Sequence, residues 1–327
     1  MNVFSKKQVI GVDITPAVTS MAIVDVRGNI IAQDSIPTDE YTDINRYVEA
    51  LSEHIVALAM ANGGIESIRS VGVSAPSANS LTGSLEHAVN LPWKEVVPLQ
   101  VMLCERMGLA VIVANDAYAS AMGEYVYGTA HGMQNFIVIS LGHGGVGSSF
   151  FTNGHSYVGN HGFAGEIGHV CVVPNGRRCN CGRNGCLEQY VSERGVILTA
   201  QELLAESQQS SLLRTYDTLS FKDIVQCCEK NDELAKEVFN RTGKMLGLGL
   251  ANYATIINPE AIILTGEEQT KALQWVAPSL DASFEEHIFH NSRKKVKILV
   301  STLNNQEREI LGASALAWTI KEYSLFL

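Results

Sequence analysis

The sequence has no run of eighteen or more apolar residues, which excludes an ordinary membrane-spanning helix. It opens MNVFSKKQVIGVDI, where two lysines are followed by no long apolar stretch, so neither a signal nor a transit peptide is expected and a cytoplasmic address follows. Blocks of lysine and arginine are also missing. With 24 basic against 34 acidic residues, the net charge of -10 repels phosphate backbones and anionic bilayers, which argues against nucleic-acid and membrane partners. No low-complexity linker marks a domain boundary. The seven cysteines are an odd number, which suits thiols or metal ligands better than a disulfide framework.

What is present is a chain of 327 residues, 46% hydrophobic and 18% charged, able to bury a sizeable core and long enough for two domains. VIGVDI (9–14) is followed by a short break, MAIVDV (21–26), the turn RGN (27–29) and IIAQDSI, an order of strand, loop, strand, glycine turn, strand. The same order returns at FIVISLG (136–142), GHGGVG, SSFF (148–151), TNG (152–154) and HSYVG, which reads as an internal repeat. In both copies the loop between the first two strands leaves backbone amides available to a bound anion. Between the copies lie a helical pattern (43–63), a strand (68–76), an amphipathic stretch (98–108) and a strand (110–116). Helical segments at 192–207 and 221–258, strands at 261–266 and 296–302, and a helix-forming end at 307–323 complete the chain.

Strands alternating with helices predict an α/β fold with helices packed on mixed sheets. The repeat predicts two domains with a cleft between them. The boundary falls near residue 120: a smaller N-terminal domain over 1–120, a larger one over 121–309, and a helix at 310–327 returning to the first.

The densest chemistry lies in EIGHVCVVPNGRRCNCGRNGCLEQY, Glu166 to Tyr190. Cys179, Cys181 and Cys186 supply three thiolates, and Gly182 and Gly185 let the backbone fold so that the sulfurs face one point. His169, ten residues before Cys179, closes a Cys₃His set suited to zinc (Zn2+). The alternatives are a redox-active cysteine loop without metal, or a zinc ion with a purely structural role. A Cys₃His shell leaves no open position for Lewis-acid catalysis. Such an ion would instead fix the loop, so that Glu166, His169 and Glu188 are held toward a substrate such as a polyol. Cys104, Cys171, Cys227 and Cys228 sit among apolar neighbours and read as core residues.

Glu166-Ile-Gly-His169 followed by Cys179-x-Cys181-Gly-x-x-Gly-Cys186-x-Glu188 resembles the ExGH and CxCGxxGCxE signatures of the ROK family of repressors, open reading frames and sugar kinases. The similarity runs through IGVDI, APS…NLPW (75–93), VANDA (113–117), GFAGEIGH (162–169) and NPEAIILTG (258–266). It implies an actin-like, ribonuclease-H-like duplicated fold and a homodimer. By the same resemblance Asp116 is the catalytic base toward a sugar hydroxyl, with Asn115 a sugar ligand beside it. Read alone, an Asp after the strand AVIVA is more often a helix N-cap. Glu166, His169 and Glu188 are implied sugar ligands, against the alternative that they satisfy one another and the loop. Asn79, at the end of the loop Ala75-Pro76-Ser77-Ala78-Asn79, is a further one.

The nucleotide side departs from the family pattern. The first phosphate loop, D-x-G-G-T in the kinases, reads Asp13-Ile14-Thr15-Pro16-Ala17. Both glycines are gone, and Pro16 removes an N–H donor. Thr15 and Thr19 are expected to compensate with hydroxyls. The second loop reads Leu141-Gly142-His143-Gly144-Gly145, with His in place of Thr and one glycine extra. The third reads Thr265-Gly266-Glu267-Glu268, and two carboxylates beside a nucleotide are unfavourable without magnesium or lysine. Asp13, Thr15, Gly142, His143, Gly144 and Gly266 are the implied nucleotide-binding residues.

Two functions stay open. One is an ATP- and Mg2+-dependent kinase of a hexose or N-acylhexosamine, glucokinase-like. The other is a weak or inactive sugar-binding sensor with degraded nucleotide loops. A family repressor is disfavoured, because about eight residues precede the first strand and the acidic charge offers no phosphate-binding surface.

Overall fold

The computed structural model describes residues 6–88, 90–142, 145–266, 271–304 and 307–320. The chain divides into two compact units: Met1–Gly132 with Val158–Ala164 and Thr302–Leu327, and Met133–Tyr157 with Gly165–Ser301. The division lies at 132/133 rather than 120/121, a point that would cut the helix Asp116–Val126 in two.

In the first unit, β1 (Gln8–Ile14), β2 (Val18–Asp25) and β3 (Ile30–Pro37) form an antiparallel meander. Strands β4 (Ile68–Ser74) and β7 (Val111–Ala114) continue the sheet in parallel on the other side of β1, giving the order β3-β2-β1-β4-β7. Burial alternates along β3, as on an edge strand with one wet face, while β4 is buried along nearly its whole length. The short strands β5 (Ala78–Asn79) and β6 (Ser84–Leu85) pair separately. Helix α1 (Ile44–Ala61) starts where the Asp43 side chain accepts from Asn45 N–H. It buries Tyr47, Leu51, Ile55 and Ala59, one residue per turn, against Ile10, Val12, Val71 and Val73 of the sheet. Helices α2 (Leu99–Met107) and α3 (Asp116–Val126) follow in sequence.

Helix α9 (Arg308–Thr319) lies on β1 and β4 at two glycines. A Cβ on Gly72 would stand 1.9 Å from the Ala313 carbonyl oxygen, and one on Gly11 2.4 Å from that of Ile310. The strands must be bare there for the helix to approach this closely.

The second unit repeats the scheme. Strands β8 (Phe136–Gly142), β9 (Gly145–Thr152) and β10 (His155–Ser156) form the antiparallel meander, and β11 (Ala261–Thr265) and β12 (Lys297–Val300) add in parallel, in the order β10-β9-β8-β11-β12. The duplicated pattern of the sequence is therefore a duplicated sheet. Its helices are α4 (Glu188–Val191), α5 (Glu193–Glu206), α6 (Phe221–Glu229), α7 (Glu233–Ile257) and α8 (Leu273–His287). Ile137, Ile139, Ile262 and Leu264 of the sheet pack with Phe239, Leu246 and Leu250 of α7 and Leu280 and Phe284 of α8.

Two elements differ from the sequence reading. The helical stretch 221–258 is two helices, because Asn231 turns left-handed at φ 61° and Asp232 caps α7 by accepting from Leu234 and Ala235 N–H. Helix α8 was not legible in the pattern, since Pro278 stands inside it. Packing on α7 outweighs the lost hydrogen bond: a Cβ on Gly243 or Gly247 would come within 2.5 Å of the Val276 or Leu280 carbonyl oxygen. Among the described residues no helix is long and apolar enough to cross a membrane.

Candidate metal centre and candidate active-site residues

Segment 170–187 of the second unit folds back on itself through the backbone bridges Cys171–Cys186 and Arg178–Asn184. Leu187 N–H donates to Val170 at 2.9 Å and Cys179 N–H to Arg183 at 2.8 Å. Gly185 is obligatory: its φ is 76°, and a Cβ there would sit 1.8 Å from the Val173 carbonyl oxygen. The fold of the loop gathers His169, Cys179, Cys181 and Cys186 so that their ligand atoms lie within 4.8 Å of one another. Cys181 Sγ is 3.6 Å from Cys186 Sγ, and Cys179 Sγ is 3.7 Å from His169 Nδ1. A tetrahedral ion with metal–sulfur bonds of about 2.3 Å requires edges of roughly 3.8 Å, so these residues could hold a metal ion.

The sulfurs divide charge unequally. Hydrogen bonds from the backbone and side chain of Arg183 pull the Cys181 thiol down to about 6, whereas burial and the two neighbouring sulfurs push Cys186 up to about 12. A buried sulfur beside a thiolate ionises readily only if a cation joins them, which is the chemistry of a metal-binding set. Cys171 is exposed rather than a core residue, since it lies in the loop that folds back on itself through the Cys171–Cys186 bridge; Cys227 and Cys228 are buried and Cys104 is half-buried.

Glu166 is exposed and precedes the short turn Ile167–His169. With His169 Nδ1 on the sulfur side, the other ring nitrogen faces away from Cys179. Glu188 opens α4, and its Oε2 accepts from Val146 N–H of β9 at 3.1 Å. A Cβ on Gly145 would lie 2.3 Å from the same oxygen, so this carboxylate rests against the backbone of the β8–β9 hairpin.

In the first unit, the N-cap of α3 is Asn115, whose Oδ1 accepts from Tyr118 N–H at 2.8 Å. Asp116 is thus the first helical residue and not the cap. Its Oδ1 accepts from Ala117 N–H at 2.8 Å, and surrounding protein raises its carboxyl although the residue surface is open to water. Asn79 is buried: its Oδ1 accepts from Leu81 N–H at 3.0 Å and its Nδ2 donates to the His161 carbonyl at 3.4 Å.

The residues expected at the nucleotide are differently placed. Thr15 closes the β1–β2 turn on itself, its hydroxyl donating to the Val18 carbonyl at 2.7 Å and accepting from Val18 N–H at 3.1 Å. Thr19 supplies no hydroxyl to the loop, because it is buried and bonded to Thr38 (2.8 Å) and Tyr47 (2.6 Å). Gly142 pairs with Gly145 at the end of the β8–β9 ladder. His143 and Gly144, between them, lie outside the described residues, as do Glu267 and Glu268 beyond Gly266.

The sequence reading missed Glu309, in the first turn of α9. Burial and the neighbouring Asp13 and Asp116 push its carboxyl up to about 8, while burial raises Asp13 to about 6. Arg308 opposes this shift of Glu309, and Glu124 adds to it. Nothing in a helix-forming stretch announces such a group; only the approach of α9 to β1 brings it to Asp13. Both carboxyls are raised from 4.5 and 3.8, so their contribution is full below about pH 4 and is lost as pH rises toward 8. Glu309 alone would cost roughly 5 kcal/mol if fully dry, and on the order of 2–3 kcal/mol for a half-buried group. Thermal unfolding of Glu309→Gln is therefore expected to exceed that of the parent at pH 8 and to match it at pH 4.5. Parallel melting curves at both pH values would contradict this.

Two five-stranded sheets of one strand order, each an antiparallel meander continued by parallel strands, define the actin-like, ribonuclease-H-like duplicated fold, and one of them carries a Cys/His cluster. The model of the ROK family matches residues 9–320. The chain belongs to the ROK family. It is 32% identical over 327 residues to a glucokinase of Halalkalibacterium halodurans, covering 97% of this chain and 96% of that one. Among solved structures it is similar to a ROK family glucokinase from Streptomyces griseus in complex with glucose and AMPPNP, with a TM-score of 0.74, 29% identity, and coverage of 96% of this chain and 100% of that one. It is also similar to a ROK family transcriptional regulator, a homologue of the Escherichia coli MLC protein, with a TM-score of 0.82, 25% identity, and coverage of 94% and 77%.

Proposed function

We propose that this protein is an ATP- and magnesium-dependent sugar kinase that phosphorylates a hydroxyl of a hexose or N-acylhexosamine. The observation that carries the reading is the Asn115–Asp116 pair: the asparagine caps α3, which frees the aspartate from that role and leaves an oriented carboxylate with a raised pKa. A base of this kind takes the proton of the sugar hydroxyl as its oxygen attacks the γ-phosphoryl group, and ADP leaves. The likeness to glucokinases over nearly the whole chain supports it.

In this reading Asn79, Asn115, Glu166, His169 and Glu188 bind sugar hydroxyls. Asn115 would do so through Nδ2, since its Oδ1 is occupied by the cap. Asp13, Thr15, Gly142, His143, Gly144 and Gly266 serve the nucleotide, and Mg2+, when bound, neutralises charge on the phosphates. His169, Cys179, Cys181 and Cys186 would hold a zinc ion, which would stiffen the loop that carries His169 and leads into Glu188 rather than act as a Lewis acid. The active species is a homodimer in the cytoplasm.

A second reading, a sugar-responsive binding protein without turnover, is favoured by the likeness to a regulator and by the closed Thr15 turn, whose hydroxyl is already bonded. Thermal shifts separate the two. A ligand at a hundred times its Kd stabilises by about 2.7 kcal/mol, so a kinase should melt several degrees higher with glucose and again with Mg2+ and a non-hydrolysable ATP analogue. A response to sugars with none to the nucleotide selects the binding protein.

A further inference from the structure

We propose that Arg177 is a positioning residue that fixes both arms of the cysteine loop to the helix opening with Glu188, so that the metal ligands and this carboxylate form one rigid piece. The inference rests on the reading of Glu188 as a sugar ligand only in its second consequence, given below.

Arg177 lies two residues before Cys179. Its backbone already joins the arms: its N–H donates to Tyr190 Oη at 2.9 Å, and its carbonyl accepts from Gly185 N–H, next to Cys186, at 2.8 Å. The guanidinium then uses every one of its donor positions. Nε donates to Glu202 Oε1 at 2.8 Å, and Nη2 donates to Glu202 Oε2 at 2.6 Å and to Thr199 Oγ1 at 2.9 Å. Nη1 donates to the carbonyls of Gln189 at 2.6 Å and Gly195 at 2.9 Å. The group also lies over the Tyr190 ring, 4.7 Å from its centroid, and its side chain is only 13% exposed.

An exposed arginine in one surface ion pair would contribute little. This one differs because three of its acceptors are backbone carbonyls or a hydroxyl of α4 and α5, which hold still, and because the planar fork matches the Glu202 carboxylate with two bonds. The guanidinium in turn holds the Glu202 carboxyl below its ordinary range. The Gln189 carbonyl belongs to the residue after Glu188, and Glu188 itself is fixed at its other end by Val146 N–H. A chain of contacts therefore runs from the cysteine loop through Arg177 to Glu188. Lysine could reach one of these acceptors but cannot replace the fork.

Two consequences follow for Arg177→Met and Arg177→Lys, purified with metal bound and compared at equal helical content by circular dichroism. The first is faster transfer of metal to a chromogenic chelator, by roughly 10–100-fold in Arg177→Met, as for other groups that orient ligands from behind, and by less in Arg177→Lys. The second is a KM for glucose raised by roughly tenfold with kcat within about threefold, since the arginine touches no reacting atom. Unchanged metal transfer in either folded variant overturns the proposal, and should Arg177→Met not fold, Arg177→Lys decides it on the same reading. Altered metal transfer in a protein that phosphorylates no sugar would leave the positioning role standing and remove the kinase reading alone.

Discussion

Asp116→Asn is expected to lower kcat for sugar phosphorylation by roughly 10²–10⁴-fold, the range over which a positioned general base contributes. Asparagine keeps the shape of the side chain and the acceptor for Ala117 N–H, so α3 and its Asn115 cap should stay intact and KM for ATP should move little. What is lost is the ability to take a proton. In the parent protein the raised carboxyl of Asp116 places the acidic limb of kcat/KM above the ordinary aspartate range, with activity rising as the group ionises. Steady-state rates across pH for both proteins test this, and a variant retaining a tenth or more of the parent kcat would rule out Asp116 as the base.

Removing the metal is expected to have the other large effect. Cys186 is buried and its thiol is pushed up to about 12 by burial and the neighbouring sulfurs, so without a cation a thiolate is disfavoured at that position. Cys186→Ser or exhaustive chelation should melt segment 170–187 and lower Tm. The cost is several kcal/mol, a fraction of the roughly 10–16 kcal/mol with which isolated zinc-finger peptides bind the ion. Sugar affinity should fall at least about tenfold with it, because His169 and Glu188 bracket the loop. Elemental analysis giving no metal per chain, or stripped protein with the parent Tm and sugar affinity, would contradict the assignment.

Much of the fold was legible because both sheets repeat one local grammar. β1 and β8 are apolar runs, each followed by a second strand and a glycine or asparagine turn, and the repeat alone announced two sheets of one design. The cysteine loop was equally legible, since short spacings and glycines force the sulfurs together whatever surrounds them. What could not be read depended on distant contacts. Pro278 hid a helix that stands only because glycines of α7 accept it. Thr19 reads as a loop hydroxyl until Thr38 and Tyr47 are seen to claim it. Glu309 gains its meaning from Asp13, nearly three hundred residues earlier in the chain and brought close by bare glycines at the strand–helix contact. The Asn-Asp pair lay between these cases: read alone, the aspartate suggested an N-cap, and the structure gives that role to its neighbour Asn115.

The central claim is that a carboxylate at the start of α3 takes the proton of a sugar hydroxyl as that oxygen attacks the γ-phosphoryl group of ATP, although the turn Asp13–Ala17 lacks the glycines of the family pattern. Coupled ADP release, measured with Mg2+, ATP and a panel of hexoses and N-acylhexosamines, tests it most directly. The account predicts sugar-dependent ADP release that saturates with one or a few of these sugars, on the order of 1–100 turnovers per second as for other kinases, and vanishes in Asp116→Asn. Release no faster with sugar than without, in a protein that carries its metal and binds sugar, would contradict it.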